Sequence, residues 1–133
     1  MELNELINWY LNWTKIKIKI QHSNRLLYFK EREIWWTSIG ANIGFEQNGK
    51  NDNYERPIII FKKFNKDMVW ALPLTSQNKT GKFYFDISNS GVNSRAILSQ
   101  LRLISSKRLI RKMGILDIPT YKQLKKQLSK LLN

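Results

Sequence analysis

The sequence predicts an α+β domain: mainly antiparallel β, with a helix at each end. Three observations lead there. Short runs rich in Ile, Val, Trp and Phe between residues 33 and 104 are separated by breaks rich in Asn, Gly and Ser. The segment Ile58-Ile59-Ile60-Phe61 is apolar without alternation, as a strand covered on both faces must be. Helical periodicity occurs only near the two ends of the chain. With 133 residues, 42% of them apolar, the chain suits one domain that folds without disulfide or metal staples.

Taken in order, Leu3, Leu6, Ile7, Tyr10 and Leu11 recur at helical spacing, whereas Lys15-Ile16-Lys17-Ile18-Lys19-Ile20 alternates as a strand would. We read one helix here, either ending before the alternating stretch or running through it. It packs on the domain or on a partner rather than on a membrane surface. The polar Gln21 to Asn24 is a linker, so residues 1–24 form an N-terminal helical extension and residues 25–133 the main domain. Ile34-Trp35-Trp36-Thr37-Ser38 is the first clear strand. Gly40 to Glu55 is a loop long enough to suggest function. Ile58 to Phe64 is a central strand, Asn65-Lys66-Asp67 a turn, and Met68 to Leu74 the antiparallel return. Lys82 to Ile87 is a fourth strand, stopped by Asn89-Ser90-Gly91. Arg95 to Ile104 is read as a fifth, longer one, with Ile97, Leu101 and Leu103 facing the core and Leu98, Gln100 and Arg102 opposite. After the basic cluster Lys107, Arg108, Arg111 and Lys112, Asp117 and Pro119 announce a helix. Its Tyr121, Leu124, Leu128 and Leu131 share one face.

Composition also excludes. There is no cysteine, so disulfides and thiolate-bound metal are ruled out and a cytoplasmic setting is natural. His22 is the only histidine, which removes a histidine-rich metal site; in its polar stretch it reads as a surface residue. The start Met1-Glu2-Leu3-Asn4-Glu5 is acidic where a secretory leader is basic, and no apolar run approaches the ~20 residues of a membrane span. The 23 basic against 10 acidic residues give a net charge of +13, which attracts polyanions: nucleic acid or an acidic protein.

Several motifs stand in order. They are the Glu33-Ile34-Trp35-Trp36 strand, Gly44-Phe45-Glu46-Gln47, Arg56-Pro57 before the aliphatic strand, Pro73-Leu74-Thr75-Ser76, and Ser94-Arg95-Ala96-Ile97-Leu98-Ser99-Gln100-Leu101-Arg102-Leu103-Ile104. Together they resemble the MazF/PemK toxins, from about Arg32 to the C-terminal helix. The resemblance implies a small, strongly bent antiparallel SH3-like barrel, a homodimer, and cleavage of single-stranded RNA without cofactor or metal. It also implies an antitoxin that lays an acidic segment across the RNA groove.

In metal-free RNA cleavage the substrate's 2′-OH attacks the adjacent phosphorus and leaves a 2′,3′-cyclic phosphate and a 5′-OH. The protein must align the sugar, stabilise phosphorane charge and manage two protons. By the resemblance Arg56 is the catalytic arginine, a planar fork that stays cationic; without it, Arg56 reads first as a surface arginine at a strand start. Thr75 matches the catalytic threonine, or else is a turn residue bonding its own backbone. Glu46 is the acid inside a motif and is either the base, a group orienting Arg56, or half of a loop-ordering ion pair. Gln47, Lys50 and Ser76 are RNA contacts, and Gln100 and Arg102 are RNA or dimer contacts. Trp35, Trp36 and Trp70 are either stacking platforms or core. Some family members carry an acid–base Arg and Asp where this chain has Ile97 and Ser99, so that form of the mechanism is absent. Two other functions fit the same charge: a non-catalytic toxin that poisons gyrase by protein binding, and a plain nucleic-acid-binding module.

Overall fold

The computed structural model describes residues 1–133. Helix α1 (Leu3–His22) is followed by strands β1 (Glu33–Ser38), β2 (Glu55–Lys63), β3 (Met68–Thr75), β4 (Tyr84–Asp86), β5 (Arg95–Ile97), β6 (Arg102–Ser105) and β7 (Leu109–Ile115). Helix α2 (Ile118–Lys130) closes the chain. The α+β class is as predicted. The seven strands form one antiparallel sheet in the order β4-β5-β3-β2-β1-β7, with β6 also paired to β3. That path is open: its end strands β4 and β7 do not pair, so the sheet is bent but not closed into a barrel.

β2 lies at the centre because its aliphatic run can be buried on both sides. Ile58, Ile59 and Ile60 are all fully buried, and alternate residues enter opposite cores. Ile59 joins Ile34, Leu72, Leu74, Ala96 and Leu116 beneath α2. Ile58 and Ile60 join Trp35, Val69, Ala71, Ile104 and Leu109 on the other face. Each such side chain contributes about 1.5–3 kcal/mol over its exposed state. The Asp117 carboxylate caps α2, accepting the Thr120 N–H at 2.8 Å, and Pro119 occupies the first turn. Tyr121 then packs edge-on against Phe61, and its hydroxyl donates to the Phe61 carbonyl at 2.5 Å.

One open reading closes and two expectations change. The helix of the N-terminal segment runs through the alternating Lys-Ile stretch to His22, so tertiary packing overrides the strand-like pattern. The expected fifth strand is two, because a 3₁₀ turn at Leu98–Gln100 breaks it. That break inverts the side-chain alternation, leaving Leu103 54% exposed while Leu98 and Ile104 are buried. The basic segment after Ser105 supplies β7, the strand on β1's free side.

α1 is fixed by its aromatics. Trp13 is buried with Ala41 and Tyr54, flanked by Trp9, Tyr10, Ile16 and Ile20. The Tyr54 hydroxyl donates to the Trp9 carbonyl at 2.7 Å, and Tyr10 donates to the Asn42 carbonyl at 2.5 Å. Tyr54 itself sits at φ 52°, a conformation unfavourable for an aromatic residue, held there by this packing.

Candidate functional site

The site is organised by the loop of residues 39–54. Ile39 and Gly40 both donate to the Tyr54 carbonyl (3.0 and 3.1 Å), and Gly49 donates to the Gly40 carbonyl at 2.9 Å. Lys50 and Glu55 exchange backbone bonds at 2.8 and 2.9 Å. Asn42 links the inner turn: its N–H meets the Asn48 side-chain oxygen at 2.5 Å and its amide donates to the Gln47 carbonyl at 2.7 Å. These bonds within the loop, with those from Tyr10, Arg56 and Gln100 outside it, fix its conformation.

This cinched loop aims the Asn48 carbonyl at Arg56. Arg56 Nε donates to it at 2.8 Å, and Nη1 donates to the Leu74 carbonyl at 3.0 Å. The guanidinium therefore spans β2, the loop and β3. It is 9% exposed and has no carboxylate partner; burial pushes its pKa down. Nη2 donates to no protein group, so donors remain for an incoming anion. Around it lies a cavity of ≈ 570 Å³ whose wall includes Trp36, Lys50, Asn51, Glu55, Leu74 and Ser76.

Thr75, at the end of β3, is buried beside this wall. Its hydroxyl accepts the Gln77 N–H at 3.2 Å, which leaves its proton available, and Arg95 stands opposite it in the β3–β5 register. Arg56, Ser76 and Lys50 thus line one cavity, and Thr75 stands in the chain between its wall residues Leu74 and Ser76.

Glu46 is not with them. It lies with Gln47, Gln100 and Arg102 in a separate cavity of ≈ 280 Å³. One Glu46 carboxylate oxygen accepts the Ile43 N–H at 2.9 Å. Burial pushes the Arg102 guanidinium pKa down, and the Glu46 charge partly opposes that. Gln100 holds the loop by both ends of its amide: Oε1 accepts from Gln47 N–H at 3.2 Å and Nε2 donates to the Phe45 carbonyl at 3.0 Å. Its first task is therefore to tether the loop. Of the tryptophans, Trp35 is core, Trp36 faces the Arg56 cavity with Arg111 5.0 Å from its ring centre, and Trp70 is 39% exposed. His22 ends α1 on the surface, away from both cavities.

Sequence reasoning missed Glu55, Asn48 and Phe45. Glu55 is buried in the Arg56 cavity, paired with Arg111 at 3.3 Å and accepting from the Asn51 amide at 2.9 Å. Its only signal was adjacency to Arg56. Asn48 acts through a carbonyl that any residue would offer. Phe45, fully exposed at the loop tip, carried the usual mark of a surface aromatic with no core partner.

Comparisons with known proteins agree with this architecture. The family model described as PemK-like, MazF-like toxin of type II toxin-antitoxin system matches residues 30–132. Among solved structures, MazF from Deinococcus radiodurans is 18% identical with a TM-score of 0.62, covering 80% of this chain and 97% of that one. An endoribonuclease in complex with its cognate antitoxin, from a Mycobacterial species, is 12% identical with a TM-score of 0.63, covering 79% and 95%. The MazE–MazF assembly of Deinococcus radiodurans is 14% identical with a TM-score of 0.58, covering 80% and 97%. At these identities the structural likeness establishes the fold. No curated protein matches the chain in sequence.

Proposed function

The chain belongs to the PemK-like, MazF-like toxins of type II toxin–antitoxin systems, and from that premise and the geometry above we propose that it is an endoribonuclease cutting single-stranded RNA by attack of the 2′-OH. The carrying observation is Arg56: a buried cation fixed by two carbonyl oxygens, with unspent donors at an open cavity large enough to admit a nucleotide. Such preorganised donors stabilise charge that develops on the phosphorane. Thr75 adds an O–H donor to a non-bridging oxygen, and Ser76 and Lys50 hold the flanking phosphate. Both oxygens of Glu55 are engaged by Arg111 and Asn51. Glu46 keeps one carboxylate oxygen free, and it is our choice for the acceptor of the 2′-OH proton when RNA bridges the two cavities. Gln47 and Arg102 then contact the nucleotides beyond the cut.

Two partners follow. A small acidic antitoxin complements the +13 charge, as the neighbours in complex with their antitoxins suggest. A homodimer would cover the exposed apolar patch of Phe64, Met68, Trp70 and Leu103, where Trp70 and Leu103 are cross-strand neighbours. Sedimentation that fits a monomer at all concentrations would remove the dimer. In this reading residues 25–133 are the nuclease domain.

The test is a defined transcript incubated with the pure chain in EDTA, followed by end mapping. Discrete cuts with 2′,3′-cyclic phosphate and 5′-OH ends are expected. Intact RNA with a folded sample, together with full growth arrest by Arg56→Ala and Thr75→Ala, would point to a toxin that acts by protein binding.

A further inference from the structure

α1 lies outside the residues matched by the family model, and its C-terminal half makes a second basic surface. A groove of ≈ 660 Å³ runs between this half and the 3₁₀ turn Ser106–Arg108. Lys17 and His22 line it from the helix, Lys107 and Arg108 from the turn, and Gln21 and Ser105 between them. An adjoining groove of ≈ 340 Å³ shares Lys107 and Arg108 and adds Lys19 and Arg25. No Asp or Glu lines either one. The helix dipole accounts for basic residues in the last turn; it does not account for cations facing one another across a gap without a counter-charge.

The turn is firmly built. The Arg108 guanidinium lies 5.7 Å from the Trp13 ring centre and donates to the Ser38 carbonyl at 3.2 Å, while Lys107 donates to the Gln21 carbonyl at 2.8 Å. Burial and the nearby Arg102 charge both push the Arg108 pKa down. The other half of α1 is the opposite: its groove contains Glu5 and Asp52 and no base. Charge along the helix therefore favours an anion on its C-terminal half, between Arg108 and Lys17.

We propose that this groove binds the sugar–phosphate backbone of single-stranded RNA beyond the cleaved nucleotides, extending the substrate track onto α1. An acidic polypeptide would need apolar pockets as anchors. Here Trp13 and Ile20 are already packed on the domain and Ile18 is the one exposed apolar side chain in the groove, a single contact and not a set of pockets, whereas a nucleic-acid backbone needs only cations and donors. The proposal rests on RNA being the substrate, but it is read out by binding, apart from cleavage.

The experiment measures fluorescence anisotropy with 2′-O-methyl RNA, which cannot be cut, in a short form (about 5 nucleotides) and a long form (about 20). Lys17→Glu combined with Lys107→Glu should weaken the long oligomer at least ~10-fold, lower its salt slope by about 1.4, and leave the short one unchanged. The single variant Lys17→Glu, whose exposed side chain has no protein partner, should lower the slope by about 0.7 and carries the result if Lys107→Glu loosens the helix. An unchanged long-oligomer affinity and slope overturns the proposal, as does equal weakening of both lengths. Loss of poly-glutamate binding with RNA binding kept would assign the groove to an acidic protein instead. RNA bound as expected but never cut in the transcript assay would sink the nuclease reading while leaving this one standing.

Discussion

Arg56 is buried and Arg102 half-buried, and burial lowers the pKa of both guanidiniums, yet they are held in different ways. Arg56 is clamped by two backbone carbonyls from a strand and a cinched loop, with no carboxylate near enough to neutralise it. Arg102 begins a short strand after a 3₁₀ break and has the Glu46 charge beside it. A cation fixed by neutral oxygens keeps its whole field for a ligand; one with an acid beside it shares that field with the acid. The first arrangement suits stabilisation of a transition state, the second recognition of variable nucleotides.

The contrast can be broken most directly by truncating each arginine. Arg56→Ala should lower kcat by roughly 10³-fold, while Arg102→Ala should mainly raise KM, by about tenfold. Equal losses in kcat would erase the distinction. Gly49→Ala should be the most damaging loop change. A β-carbon at Gly49 would lie 1.7 Å from the Tyr54 carbonyl oxygen, and Gly49 adjoins the Asn48 that aims Arg56. We expect a loss of ~3 kcal/mol in urea unfolding together with lost cleavage. A variant that kept stability and lost only activity would mean that the loop is less tightly coupled to the core than its hydrogen bonds imply.

Glu46→Gln separates the two roles of that carboxylate. If it accepts the 2′-OH proton, kcat should fall by roughly 10² with KM little changed. If it only balances Arg102, kcat should hold and the salt dependence of KM should steepen.

The smallest effect concerns the far side of the sheet. Burial, with the Glu31 charge, raises the Tyr121 hydroxyl to about 12. Its unfolded value is about 10, so its contribution is full below pH 10 and is lost as pH rises through 10 towards 12. Tyr121→Phe should cost about 1 kcal/mol at pH 8, and that gap should narrow at pH 11 in denaturant titrations. A gap that stayed constant would mean that the hydroxyl is not held as described.

The parts legible in the sequence were those written in side-chain pattern. Ile58–Ile60 announced the central strand, and Asp117 with Pro119 announced α2. The division at Leu98–Gln100 was hidden because no Gly or Pro marks it and apolar residues continue through it. β7 was hidden because Arg111 and Lys112 interrupt its alternation; they are exposed on an edge and pair with Glu55 and Glu33. At the site, Arg56, Thr75 and Ser76 were legible as residue types. The separation of Glu46 from Arg56 was not, since it follows from side-chain-to-backbone bonds of Asn42 and Asn48 that no periodicity announces.

Gly40 offers a last lesson in fit. A β-carbon there would come within 2.3 Å of the Trp13 ring, so the indole occupies the place a methyl group would need. The terminal helix and the loop are thus lock and key at a single atom. Transplanting this helix onto a related domain would succeed only where the recipient has a bare α-carbon at that spot, and cutting it away here would open a slot one aromatic ring thick beside the loop that aims the arginine.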